Sequence, residues 1–237
     1  PQRKVVFCQS PYFAAAGLGR LADGVRERYR NFMACSPGVA MWAARYLDHD
    51  VIGTVPACAD ERLFAPGPKT RTIAAMPRKR PLELRAIRHM FERIHPTAAD
   101  WTWDIIEQRT EAESAQALAG AAVCLNLARL EGMSMATLEA MASGCLVAGF
   151  TGIGVREYAT AMNGIWVDED DCEAAALALS RACALAEEDG AAAHLMRHAA
   201  RTTAAQWSHA ACVEALDLFW REAMGVQPGL PKPGPLL

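Results

Sequence analysis

Short apolar segments alternate with longer segments of helical periodicity along most of this sequence, and this alternation constrains the fold more than any other feature. Several apolar segments, such as Ala122–Leu127 and Cys145–Phe150, continue without polar alternation. Continuous apolar runs of this length are typical of strands buried on both faces of a parallel sheet. The pattern predicts strands at Lys4–Gln9, Asn31–Cys35, Val51–Val55, Thr72–Met76, Trp103–Glu107, Ala122–Leu127, Cys145–Phe150 and Gly164–Val167.

Helical periodicity fills the segments between these strands. Ser36 followed by Pro37 is an N-cap residue with proline at the first helical position, and Gly144 stands where a glycine commonly ends a helix. We predict helices at Leu21–Tyr29, Pro37–Leu47, Leu82–Ile94, Ala112–Gly120, Met135–Ser143 and Cys172–Glu188, and further helix up to about Met224. Strand–helix alternation with right-handed crossovers predicts an α/β fold, a Rossmann-like parallel sheet with helices on both faces.

The segment Ala65–Lys69 carries two prolines and a glycine and interrupts this regular pattern, which predicts a domain boundary. We expect residues 1–67 to form a partial N-terminal α/β segment with a linker. Residues 68–205 would form one Rossmann-like domain, and residues 206–237 a C-terminal helix with an extended tail rich in proline and glycine.

Charge and cysteine usage limit the class of partner and the compartment. The net charge of −3 and pI of about 6.1 give no electrostatic argument for nucleic acid or an anionic membrane, so we expect no nucleic-acid partner. A peripheral membrane association is not visible in the sequence and stays open. No apolar run approaches the roughly 20 residues that span a bilayer. The 8 cysteines form no C-x-x-C pair and most lie in apolar stretches, so we expect buried free thiols and a reducing, cytoplasmic compartment.

Two patterns resemble metal sites without completing one. His194 and His198 have the i, i+4 spacing of zinc ligands, but no third ligand is evident, so we interpret them as part of a solvated helix face. The acidic segment Asp168–Asp171 is better explained as the charged start of the following helix. We therefore expect neither a metal nor another cofactor.

The segment from Arg129 to Ala148 is the most informative part of the chain. It predicts a strand end, a small-residue turn at Gly132–Ser134, a helix, a glycine stop and the next strand. Ligands of open parallel sheets bind at the carboxyl ends of the strands, near helix N-termini. The backbone N–H groups of this turn, with the positive end of the helix dipole behind them, therefore suit a phosphate. Ser134 is a candidate N-cap or a direct ligand.

Two glutamates bracket this turn. Glu131 precedes the helix and Glu139 lies on its second turn, so both can face the same crevice. A carboxylate can accept hydrogen bonds from two hydroxyl groups, which matches the diol of a ribose or a hexose. Either glutamate alone is better explained as an electrostatic cap or a solvated residue, but the two together with the glycine turn favour a sugar ligand.

The segment Glu131–Gly149, EGMSMATLEAMASGCLVAG, resembles the signature of the family-four retaining glycosyltransferases of the GT-B architecture. The family pattern is E-G-F-G-x-x-x-x-E-A-M-A-x-G-x-P-V-V. The residues that match are Glu131, Gly132, Glu139, Ala140, Met141, Ala142 and Gly144. Met133 replaces an aromatic residue, Ser134 a glycine and Leu146 a proline.

Three other segments resemble the same family in order and place. Val55–Pro66 is similar to its linker entering the donor domain, Thr151–Glu157 to its G-G-x-x-E loop, and Asn163–Val167 to its N-G-x-L-V strand. The resemblance covers roughly residues 35–185. It implies transfer of a sugar from a nucleotide diphosphate sugar to the hydroxyl group of a saccharide or other acceptor in glycan biosynthesis, with retention and without a bound metal.

The resemblance also implies the roles of individual residues. Arg78 and Lys79, close after the first strand of the donor domain, would stabilise the leaving diphosphate, with Arg80 nearby as a further donor-binding residue. Glu131 would orient the transferred sugar and Glu139 would hold the ribose. The remaining residues expected to bind the donor are Gly132, Met133, Ser134 and Met135.

The segment before the linker has room for only the closing elements of a first GT-B domain. We therefore expect either a fragment of a longer enzyme or a reduced homologue. Two alternatives to a glycosyltransferase stay open, namely a nucleotide-sugar-binding protein without catalysis and a GT-B-like sugar-nucleotide epimerase.

Overall fold

The computed structural model describes residues 4–225, which divide into two compact units. The first unit comprises Pro1–Pro56 and Ala210–Leu237, and the second comprises Ala57–His209. The predicted boundaries at residues 67 and 205 stay predictions. Apart from Gly225, the predicted extended tail lies outside the described residues.

The first unit contains a three-stranded parallel sheet with strand order β1-β2-β3. Its strands are β1 (Val5–Cys8), β2 (Asn31–Ala34) and β3 (Val51–Thr54), and its helices are α1 (Pro11–Leu18), α2 (Asp23–Arg26) and α3 (Pro37–Tyr46). Ser36 caps α3 as predicted, because its hydroxyl accepts a hydrogen bond of 3.2 Å from the Val39 N–H.

The second unit contains a five-stranded parallel sheet with strand order β5-β4-β6-β7-β8. Its strands are β4 (Thr70–Ala75), β5 (Thr102–Ile105), β6 (Ala121–Leu127), β7 (Leu146–Phe150) and β8 (Ile165–Val167). Its helices are α4 (Pro81–Ile94), α5 (Glu111–Gly120), α6 (Met135–Ala142), α7 (Cys172–Glu188) and α8 (Ala191–Ala205). The predicted α/β fold with helices on both faces of a parallel sheet is confirmed.

The last helix, α9 (His209–Leu218), continues into a π-helical turn at Phe219–Ala223. Phe219 and Met224 are buried with Val55 in a small hydrophobic cluster. Through this cluster the segment that begins at Ala210 packs with the first unit.

Every predicted strand is present within two residues of its predicted bounds, but two helices differ from the prediction. The predicted helix at Leu21–Tyr29 is reduced to α2, and α1 was not predicted as a helix. Neither α1 nor α2 contains a fully buried residue. Helical periodicity reports burial of one face, so helices without a buried face leave little of that signal.

The strand order of the second unit creates a topological switch point between β4 and β6. The chain passes from β4 to β5 on one side and then to β6 on the other side. In open α/β sheets the crevice at such a point, outside the carboxyl ends of the strands, is where ligands bind. The loops that follow β4, β5 and β6 therefore converge on one predicted binding crevice.

Helix α6 ends at the position that the sequence predicted. Gly144 has φ of +76°, and the Cys145 N–H donates to the Ala140 carbonyl at 3.0 Å. A left-handed residue after a helix satisfies its last carbonyl groups, and glycine adopts that conformation without a side-chain clash. The tight stop returns the chain directly into β7, so α6 is fixed at both ends between neighbouring strands.

The 8 cysteines are all free thiols. Among residues 4–225, no helix combines the length and the apolar character that crossing a membrane requires.

Candidate active site

A cavity of about 530 Å³ opens at the carboxyl ends of β4, β5 and β6. Its wall is formed by the three loops that follow these strands and by the amino end of α6. The polar residues of the wall are Arg78, Lys79, Glu107, Gln108, Arg109, Ser114, Asn126, Glu131 and Ser134. The volume lies in the range of pockets that hold small molecules.

An ion pair joins the two sides of the switch point. Lys79 Nζ, in the loop after β4, donates to Glu131 Oε1, in the loop after β6, at 2.7 Å. The Lys79 and Glu131 side chains retain 26% and 25% of their exposure, so both remain accessible to a ligand. Arg78 is exposed and lines the same cavity. The structure thus brings the three predicted catalytic residues to one place.

The amino end of α6 faces this cavity through Ser134 and Ala136. Ser134 is the N-cap residue by position, but its side chain does not accept a bond from a backbone N–H of the first helical turn. The Ser134 hydroxyl instead lies 2.9 Å from the Thr137 hydroxyl, which donates to Asn126 Oδ1 at 2.8 Å. Because the first N–H groups of a helix have no intrahelical acceptor, an anion at this end is stabilised by those groups and by the helix dipole.

The turn before α6 is held by the glycine-rich loop that follows β7. A Cβ atom on Gly154 would lie 2.7 Å from Met133 Cα and 2.8 Å from Met133 N, so the two backbones are in direct contact. The buried Tyr158 hydroxyl donates to the Ser134 carbonyl at 3.0 Å. The loop at Thr151–Glu157, similar in sequence to the family's G-G-x-x-E loop, therefore fixes the position of the predicted phosphate-binding turn.

Glu139 lies on α6 and is only partly exposed. Burial first, and then the neighbouring carboxylates of Glu111 and Glu131, together raise the pKa of its carboxyl group to about 7. Glu131 is thus one of the charges that act on Glu139, and the predicted crevice shared by the two glutamates stays a prediction. Glu139 itself does not form part of the cavity wall, and neither do Gly132, Met133 and Met135.

Arg80 is buried, 1% exposed, and its guanidinium group is engaged by protein groups. It pairs with Glu169 and Asp170 in the loop after β8, and its Nε donates to the Ala128 carbonyl at 3.3 Å. Its guanidinium carbon lies 4.4 Å from the ring centroid of Phe150. Arg80 therefore links three loops and does not line the cavity. Its predicted contact with the donor stays a prediction.

The acidic segment Asp168–Asp171 has two functions. Asp171 caps α7, since its side chain accepts from the Ala174 N–H at 2.9 Å, as the interpretation of a charged helix start requires. Glu169 and Asp170 bind Arg80 instead. No group of three or more potential metal ligands occurs among the described residues.

Sequence reasoning missed the loop after β5. Ile106, Glu107, Gln108 and Arg109 line the cavity, and Gln108 has φ of +53°. Arg109 is oriented by Asp104, which accepts from its Nη2 at 2.5 Å. The strand preceding this loop was predicted, but only the strand order shows that it lies beside β4. A non-glycine residue at positive φ is uncommon and often marks a functional loop.

Residues 87–184 match a protein family described as "Glycosyl transferases group 1". The match covers less than half of the chain, begins within α4, ends within α7 and includes the Glu131–Gly149 segment. It does not distinguish the retaining family-four subclass, which stays a prediction. No curated protein sequence matches the chain.

The chain is similar in structure to several solved glycosyltransferases of GT-B architecture. Sucrose-phosphate synthase from Thermosynechococcus elongatus has a TM-score of 0.71 and 16% identity, over 95% of this chain and 69% of that one. The pneumococcal O-GlcNAc transferase GtfA, solved with UDP and GlcNAc, has a TM-score of 0.69 and 15% identity, over 94% and 53%. HepE from Anabaena, solved with UDP and glucose, has a TM-score of 0.69 and 12% identity, over 94% and 71%.

The TM-scores establish the fold, and because the sequence identities are low, these similarities establish nothing beyond the fold. The chain spans 53% of the length of the pneumococcal enzyme and 69–71% of the other two. The described residues therefore have the GT-B type of α/β fold over part of the length of those enzymes.

Replacing Gly154 by alanine is expected to lower the free energy of unfolding by about 1–3 kcal/mol, because the new Cβ would overlap the Met133 backbone. Urea denaturation followed by circular dichroism would measure the loss. Gly120→Ala is the matched control, since nothing lies within 4 Å of its added Cβ. Equal denaturation midpoints for the two variants would contradict the close packing of the turn.

The raised pKa of Glu139 predicts a pH-dependent stability. With a pKa near 4.5 when unfolded and about 7 when folded, the carboxyl group binds its proton more tightly in the folded chain. Its favourable contribution is thus present below pH 4.5 and is lost as the pH rises through 7. The Glu139→Gln variant should therefore gain stability over the wild type between pH 5 and pH 8, by about 1–3 kcal/mol.

Thermal or urea unfolding at several pH values would measure this difference. Glu214→Gln serves as a control, because Glu214 is an exposed glutamate in α9. A stability difference between Glu139→Gln and the wild type that stays constant from pH 5 to pH 8 would show that Glu139 does not titrate in this range.

Proposed function

We propose that this chain binds a nucleotide diphosphate sugar in the cavity between β4 and β6 and transfers its sugar, with retention, to the hydroxyl group of a saccharide or similar acceptor. The observation that carries the proposal is the meeting of Lys79, Arg78 and Glu131 at the amino end of α6. Cations, a helix N-terminus and a carboxylate at one switch point match the phosphates and the hydroxyl groups of such a donor.

The diphosphate would lie between the basic loop after β4 and the amino end of α6. The exposed Arg78 side chain has no ion-pair partner among the described residues, so its guanidinium group can bind two phosphate oxygens. Lys79 adds a compact positive charge that is already held in place by Glu131. These groups meet the charge that develops as the diphosphate leaves, which can supply several kcal/mol of transition-state stabilisation.

In the proposed reaction, the bond between the anomeric carbon and the diphosphate oxygen breaks, and its electron pair stays on the diphosphate. The acceptor oxygen bonds to the same face of that carbon and passes its proton to the departing diphosphate oxygen. Glu131 would orient the sugar through its hydroxyl groups, because its second oxygen can accept a hydrogen bond while the first binds Lys79. We propose no covalent intermediate and no metal, since Arg78 and Lys79 provide positive charge at the leaving group.

Other residues would hold the donor or the loops around it. Glu139 would bind the ribose hydroxyl groups, and the backbone of Gly132–Met135 would approach the phosphates. Arg80 would act as a positioning residue, because it ties the loop after β4 to the loop after β8.

UDP is the nucleotide that we propose to test first. The pneumococcal transferase and HepE, which share the fold, were both solved with UDP. In this chain the base would lie toward the loop Ile106–Arg109, the part of the cavity wall contributed by the outer strand β5. The low identities leave the choice among UDP, GDP and ADP sugars to measurement.

Binding without catalysis is the second candidate function. Within residues 4–225 the first unit has three strands, and the chain spans 53–71% of the three compared enzymes. If groups needed to bind the acceptor are absent from this chain, donor binding would persist and transfer would not occur.

Calorimetry with UDP, GDP and ADP sugars tests the donor site. We expect Arg78→Gln to weaken binding of the preferred donor by about 10- to 100-fold, because a charge-assisted hydrogen bond contributes about 1.5–3 kcal/mol. Glu139→Ala should also weaken it. Arg85→Gln is the matched control, since Arg85 is exposed on α4 and outside the cavity wall.

The results separate the candidates. No binding of any nucleotide sugar, or equal affinity in Arg78→Gln and Arg85→Gln, would contradict the site. Binding without product in the presence of a panel of saccharide acceptors would favour the binding protein. Release of free nucleotide with an epimerised sugar and no acceptor would instead indicate an epimerase.

A further inference from the structure

A second cavity of about 500 Å³ lies at the amino ends of the strands of the five-stranded sheet, opposite the proposed donor site. It is lined by Lys69 and Thr70, where β4 begins, and by one face of α8. Strand β4 has six residues at roughly 3.3 Å each, so about 20 Å separate this edge from the cavity between β4 and β6. A ligand here would not contact the proposed donor site.

One face of α8 presents a row of basic and imidazole side chains to this cavity. His194, Arg197, His198 and Arg201 have the spacing i, i+3, i+4, i+7, which places them on one side of a helix. All four line the cavity, and Arg71 joins them from β4. The histidine pair that resembled a zinc site in the sequence thus belongs to a cationic surface.

Lys69 is a half-buried cation that is bound by carbonyl groups. Its Nζ donates to the Ser143 carbonyl at 2.6 Å and to the Leu118 carbonyl at 3.1 Å. No carboxylate among the described residues pairs with it, and burial lowers the pKa of its ammonium group. A buried charge without a counter-ion is costly, so an anion near Lys69 would be stabilised.

Arg197 has an unsatisfied donor in the same cavity wall. Its side chain is 15% exposed, and its Nη1 binds Asp189 Oδ1 at 2.5 Å. Its Nε atom is buried and has no hydrogen-bond partner. Buried polar atoms of folded proteins are satisfied in the great majority of cases, and this donor is an exception. Because the Nε atom itself is buried, a ligand in the cavity would be attracted by the charge of the Arg197 guanidinium group.

The balance of charge around this cavity is positive. Lys69, Arg71, Arg197 and Arg201 face it, whereas Asp189 is the one carboxylate among the described lining residues. Arg71 also pairs with Asp100 at 3.0 Å, outside the wall. Arg201 is exposed and has no ion-pair partner in the described part of the chain. The Arg201 guanidinium group therefore remains for a ligand, and the positive charge of Lys69 has no carboxylate partner among the described residues.

We propose that this cavity is a second anion site, which binds a small molecule carrying phosphate groups. Guanidinium groups donate pairs of hydrogen bonds to phosphate oxygens, and an ammonium group adds a point charge. The concave wall and the half-buried Lys69 fit a free small molecule, whereas an anionic membrane would be met by exposed charges on a convex surface. The proposal does not depend on glycosyl transfer.

Calorimetry of the full chain with inorganic pyrophosphate, at constant ionic strength, tests the proposal. The exposed Arg201 is the primary target, and we expect Arg201→Gln to weaken binding about tenfold. Asp189→Asn should tighten binding, because it removes the negative charge beside Arg197, and asparagine tolerates the left-handed conformation of this residue, φ +45°. Arg181→Gln, an exposed arginine on α7 outside the cavity, is the matched control and should bind as the wild type does.

Lys79→Gln distinguishes the two cavities. The affinity for pyrophosphate in the cavity beside Lys69 should be unchanged in Lys79→Gln. The affinity for any pyrophosphate in the proposed donor site should be lowered by the same substitution. Absence of binding to the wild type, equal binding by Arg201→Gln and Arg181→Gln, or weaker binding by Asp189→Asn would overturn the proposal. So would sedimentation with phosphatidylglycerol vesicles that depends on Arg201 while pyrophosphate does not bind, since a membrane surface would then be the ligand.

Discussion

The ion pair between Lys79 and Glu131 joins two loops that are 52 residues apart in the sequence. Its partners can meet because β4 and β6 are neighbours in the sheet, with the crossover to β5 placed on the other side of β4. The strand order therefore decides the chemistry of the cavity, since it brings a basic loop, a carboxylate and the amino end of α6 together. Each of these groups alone is an ordinary surface feature, and only their proximity suits a diphosphate sugar.

The loops around the cavity are fixed by contacts that would not touch a substrate. The Gly154 backbone packs directly against the Met133 backbone at the turn before α6, and the buried Tyr158 hydroxyl donates to the Ser134 carbonyl in that turn. Arg80 connects the loops after β4, β6 and β8 through buried or half-buried polar contacts. A preorganised site of this kind loses little energy to rearrangement when charge develops in it. At the amino ends of the strands, the same sheet carries a separate cavity whose lining residues are mainly cationic among its charged groups.

The sequence predicted the strands and α6 well because their signals are local. Gly144 ends α6 at the predicted position. The order of the strands is not a local property, and so the loop after β5 was missed. Arg80 shows the same limit: its neighbours in sequence are basic, but its partners are the carboxylates of Glu169 and Asp170, about 90 residues away. Helices without a buried face, such as α1, left no periodic signal either.

The central claim is that a diphosphate binds between Lys79 and the amino end of α6. A crystal structure of the chain with UDP tests it most directly. We predict that the phosphate oxygens lie within hydrogen-bond distance of Arg78 or Lys79 and of backbone N–H groups in the first turn of α6, with the base toward the loop after β5. UDP bound elsewhere on the molecule, or in this cavity with its phosphates directed away from α6 and Lys79, would contradict the account.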